Sequence, residues 1–65
     1  MSAASTQALT TPELERVYDA LAQAIDQAGP EHSEKFLVKL ALLNANALAD
    51  PGIFQQHLDA ALRDL

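Results

Sequence analysis

The sequence predicts an all-α chain built as a three-helix arrangement, and three observations predict it. Apolar residues recur at steps of three and four through three segments. The pattern breaks at Gly29-Pro30 and Asp50-Pro51, two strong helix stops. No stretch alternates apolar and polar residues in the manner of a strand. The expected helices cover about 12–28, 31–49 and 51–64, joined by short loops and preceded by a disordered N-terminal tail. Residues 1–10 are then a flexible tail, and 11–65 a single helical domain.

Each element has a local cause. Residues 1–10 carry no charged side chain and little periodicity. At Thr11-Pro12-Glu13 the pattern changes. Thr11 is the expected cap, because its hydroxyl can accept from a backbone N–H left free in the first turn. Pro presets φ, and Glu favours the positive end of the helix. Leu14, Val17, Tyr18, Leu21, Ala24, Ile25 and Ala28 then fall on one face about 120° wide, the width of a core-facing helix. Gly29-Pro30 ends it, since Gly takes the left-handed cap conformation and Pro cannot continue the hydrogen-bond ladder.

The second helix starts either at Pro30 or after a short turn with Ser33 as cap. Phe36, Leu37, Leu40, Ala41, Leu43, Asn44, Ala47 and Leu48 share a broad face, while Val38, Leu42, Ala45 and Ala49 form a second stripe. A helix apolar on two sides is usually wedged between partners. Asp50 before Pro51 is pushed out of helical geometry, which suits an N-cap. Phe54, Leu58, Ala61, Leu62 and Leu65 make the stripe of the third helix.

Composition narrows the function classes. A chain of 65 residues allows one core of marginal stability, and with no cysteine neither disulfides nor a thiolate metal site can reinforce it. Ideal helix packing or self-association remain. Nine acids against four bases give a net charge of −5. Such a surface repels nucleic-acid phosphates and anionic lipid, so no nucleic-acid or membrane partner is expected. The first residues lack the basic and apolar regions of a signal peptide, and no apolar run approaches a membrane span. A cytoplasmic location is the expectation.

Catalytic and cofactor constellations are missing. A metal needs three or four convergent ligands, and the only imidazoles are His32, in a polar turn, and His57, at the edge of the third stripe. Glu15, Asp19 and Asp26 line one flank of the first helix, but acid–base work requires burial or close approach to split their pKa values. On these positions a solvated face is the simpler reading. No Gly-rich phosphate loop or nucleophile triad occurs. The chain is expected to be no enzyme and to hold no cofactor or metal.

Ser33 supports a different class, a carrier or small-ligand-binding helical protein. Acyl carrier proteins resemble this chain in being small, acidic and helical, with a modified serine at the start of a long helix. GPEHSEKF puts Ser33 in a similar place. The motif departs, however, since His32-Ser33-Glu34 stands where that family has Asp-Ser-Leu. Ser33 as a first-turn residue is the plainer alternative.

Two asparagines interrupt LALLNANALADPG. With Leu40 at zero, Asn44 falls at about 40°, inside the broad apolar face, and Asn46 at about 240°, beside Lys35 and Lys39. Asn44 is therefore expected to be a buried polar residue. Its partner would be the Tyr18 hydroxyl, a backbone carbonyl or a second Asn44, and it would set register as a buried Asn does in coiled coils. Asn46 is expected at the surface.

VYDAL…FLVKLALLNANALADPGIFQQHLDAALRDL, roughly residues 14–65, resembles a family of very short bacterial helical proteins classified as a domain of unknown function. The likeness lies in an aromatic-containing first helix, an aliphatic second helix ending in Asn and a small-Asp-Pro turn, and an Ala/Leu-rich last helix. Asn46–Pro51 is its most specific piece. The resemblance implies a bacterial source, an all-helical fold and no catalytic residues. Together with the two-sided second helix, the expected function is a non-catalytic interaction module, a homodimer meeting through Val38, Leu42 and Ala45. An accessory subunit of an enzyme, with its acidic face toward a basic partner, is the remaining alternative.

Overall fold

The computed structural model describes residues 8–65, which form three α-helices and, among the described residues, no strand. Helix α1 spans Thr11–Ala28, α2 Ser33–Leu48 and α3 Pro51–Leu62. Across the stretch read as one domain, 11–65, the chain divides into two compact units, with the division between Ser33 and Glu34. The tail expected over 1–10 lies, for residues 1–7, outside the described residues. Leu9 and Thr10 lead exposed into α1.

The first unit is α1 and its terminal turn. The cap is Thr10, one residue before the expected Thr11. The Glu13 N–H donates to Thr10 Oγ1 at 3.2 Å, and the Thr10 N–H donates to Glu13 Oε1 at 2.9 Å. This reciprocal capping box satisfies two donors that a helix start otherwise leaves free, which is why the upstream threonine takes the cap and Thr11 becomes the first helical residue. At the other end Gly29 adopts φ 80° and ψ 162°, and its N–H closes on Ile25 O at 3.1 Å. That backbone region is open essentially to glycine alone. Pro30 to His32 make a turn, with the His32 N–H donating to Gly29 O at 3.0 Å, so α2 starts at Ser33 and not at 31.

The second unit, α2 from Glu34 together with α3, turns on two residues. Ala49 stands at φ 60°, with its N–H on Ala45 O at 2.9 Å, and so closes α2 one residue earlier than expected. A left-handed residue in that place is usually glycine, because a Cβ crowds the following carbonyl. Asp50 is extended, at φ −147° and ψ 100°, as Pro51 requires of its predecessor. Its Oδ1 accepts from the Gly52 N–H at 2.9 Å and the Ile53 N–H at 3.1 Å, so Asp50 is the expected N-cap. Helix α3 stops at Leu62 and not at 64, because Arg63 is extended and Asp64 turns left-handed at φ 56°.

Among the described residues no side chain is buried. Half-buried positions cluster at Leu21, Ala24, Ile25 and Ala28 in the first unit, and at Phe36, Leu40, Ala41, Ala45 and Phe54 in the second. No helix is long and apolar enough to cross a membrane among the described residues.

Two backbone substitutions should move stability in opposite directions. Ala49→Gly relieves the left-handed Cβ and is expected to stabilise by about 0.5–1 kcal/mol, after allowing for the looser unfolded chain. Gly29→Ala meets no atom within 4 Å, so its cost is conformational alone, about 1–3 kcal/mol. Thermal unfolding followed by far-UV circular dichroism checks both. Shifts of the same sign would contradict the turn geometry.

Candidate functional site

Helix α1 presents its apolar stripe unevenly. The half toward the Gly29 turn is half-buried, whereas Leu14 and Tyr18 nearer the start are 57% and 71% exposed. Thr11, Leu14, Glu15, Tyr18 and Asp19 line an open hollow of about 520 Å³. The capping box just upstream holds the first turn that carries it. Glu13 is held below the usual carboxylate value by the Thr10 backbone N–H first and the Thr10 side chain second, against a small opposing desolvation.

The second surface lies at the α2–α3 corner. Leu42, Ala45, Asn46 and Ala49 at the end of α2, Asp50 and Pro51 of the connection, and Phe54 of α3 line an open hollow of about 470 Å³. Two of the three expected interface residues, Leu42 and Ala45, come together here. Val38, one turn earlier on α2, does not line the hollow but stands 52% exposed, next to Leu42 at 63%.

Asn44 does not behave as expected. Its side chain is exposed, as is that of Tyr18, so the single chain does not bury the amide and the Tyr18 hydroxyl does not enclose it. Periodicity places Asn44 on the broad face, but periodicity alone does not decide burial. Asn46 is exposed as expected, and lines the corner hollow besides. The capping box at Thr10 was missed in favour of Thr11. Thr-x-x-Glu, residues 10 to 13, is the spacing that signals it.

The remaining chemical candidates stay apart. His32 and His57 are both exposed. No group of three or more His, Cys, Asp or Glu that could hold a metal ion occurs among the described residues. Ser33 is half-buried at the start of α2, bordering a hollow of about 320 Å³ with Ile25, Asp26, Gly29 and Pro30. Glu15, Asp19 and Asp26 are all exposed.

No protein-family model matches the chain, and neither the curated proteins nor the solved structures yield a significant match. The likeness to short bacterial helical proteins therefore stands on the residues quoted for it alone.

The lowered Glu13 pKa makes the start of α1 sensitive to acid. A carboxylate whose folded pKa is depressed stabilises the fold above its ordinary value and loses that contribution as pH falls through the lowered one. Helicity should therefore drop more steeply below about pH 4.3 in the natural protein than in Glu13→Gln, which keeps the box acceptor without titrating. Identical acid limbs in circular dichroism would remove Glu13 from this role.

Proposed function

We propose that this chain is a non-catalytic interaction module of the cytoplasm that associates with itself, most simply as a homodimer. The observation that carries the reading is the second apolar stripe of α2, where Val38 and Leu42 stand open to water in mid-helix. Large aliphatic side chains on one face of a helix gain about 1.5–3 kcal/mol each when fully buried. With no buried side chain among the described residues, the chain has every reason to obtain that gain from another chain. Ala45 beside them allows close approach of a second backbone, as small residues do at helix contacts. The excess of acids disfavours polyanionic partners and leaves a protein surface as the natural one.

Size-exclusion chromatography with light scattering should give twice the 7.0 kDa of the chain. Leu42→Glu should raise the dissociation constant by about tenfold or more, since placing a charge in the contact costs at least about 1.4 kcal/mol. A natural protein that stays at 7.0 kDa across concentrations overturns the reading.

A further inference from the structure

Charge is divided unevenly along the chain. Up to Ser33 there are five acids and one base, and from Glu34 onward four acids and three bases. The division is sharpest on two exposed surfaces. Thr11, Leu14, Glu15 and Tyr18 of α1 stand at i, i+3, i+4 and i+7, the diamond that forms a hole for a side chain of a facing helix. Asp19 flanks it one turn on, so Glu15 and Asp19 make an acidic row about 6 Å apart. On α2, Lys35, Val38, Lys39 and Leu42 form the same i, i+3, i+4, i+7 diamond, with the two lysines as a basic row of equal spacing. All of these side chains are exposed. Each diamond thus pairs two large or aliphatic knobs with a row of one sign, and the two signs are opposite.

From this we infer that the contact between copies is asymmetric in its surfaces. The Leu14–Tyr18 face of α1 in one copy docks on the Lys35–Leu42 face of α2 in a second copy, and the second copy returns the same contact. Glu15 and Asp19 face Lys35 and Lys39 across it. The apolar knobs supply most of the attraction, while the exposed charges choose the surface and the register. The inference rests on the self-association proposed above and names both halves of its interface. It keeps Val38 and Leu42 at the centre, adds the lysines beside them, and assigns the exposed half of α1 as their counterpart.

Charge reversal in two separate chains tests it. E15K/D19K makes both diamonds basic, and K35E/K39E makes both acidic. Each variant alone should dissociate about tenfold or more readily than the natural protein, while an equimolar mixture should recover the dimer mass as a heterodimer. E15K/D19K carries less net charge than the natural chain, so weaker general repulsion would favour its self-association and cannot explain a loss. Circular dichroism of each variant confirms that α1 and α2 remain helical, and E15Q/D19N serves as the milder version should helicity fall. Variants that dimerise like the natural protein would overturn the inference and leave self-association standing. A mixture that stays monomeric would overturn it as well, because a pairing confined to one chain cannot be rescued by another. A natural protein that is itself monomeric would overturn the self-association and this contact with it.

Discussion

A helix gains one hydrogen bond per residue only after the costly first turn is fixed, so short helices are marginal in water and depend on what lies beyond their own backbone. The three helices here have 18, 16 and 12 residues. Every other feature of the chain answers to that constraint. The ends are closed with care: a capping box at Thr10 and Glu13, a glycine stop at Gly29, and an aspartate serving two N–H groups ahead of Pro51. An N-cap side chain generally contributes about 1 kcal/mol to its helix. Caps decide where the helices are, but contributions of that size leave a chain this small near the margin.

The other source of helix stability is burial of an amphipathic face, and among the described residues that burial is only partial. The chain's aliphatic residues are numerous, yet none of the described ones is buried. Magnitudes indicate which interaction would complete it. An exposed ion pair contributes about 0–1 kcal/mol, whereas burying a leucine or valine contributes about 1.5–3 kcal/mol. Apolar contact must therefore dominate any association, with the opposite charges of α1 and α2 acting as selectors.

The turn between α2 and α3 shows a local conflict resolved in favour of connection. Pro51 forces Asp50 to be extended, and Asp50 must also aim its carboxylate at Gly52 and Ile53. With so short a connection, the turn falls on Ala49, which accepts a left-handed conformation that glycine would take more readily. Gly52 helps from the other side. A Cβ there would sit 3.3 Å from Asp50 Oδ1, so its absence gives the carboxylate room to reach the backbone.

Much of this was legible in the residues themselves. Helix class, order and approximate extent follow from apolar spacing and from Gly29-Pro30 and Asp50-Pro51, because those signals act through neighbours in sequence. Asp50 as a cap was readable for the same reason, and Thr10 was readable from its spacing to Glu13. The helix ends at Leu48 and Leu62 were not, since they depend on which single residue turns left-handed. Asn44 marks the boundary most clearly. Sequence alone determined which side of α2 it occupies, as rotation per residue is a property of the backbone. Only the tertiary structure decided that it is exposed, because burial depends on whether another element lies over that turn, and that is a matter of placement in space rather than of local spacing.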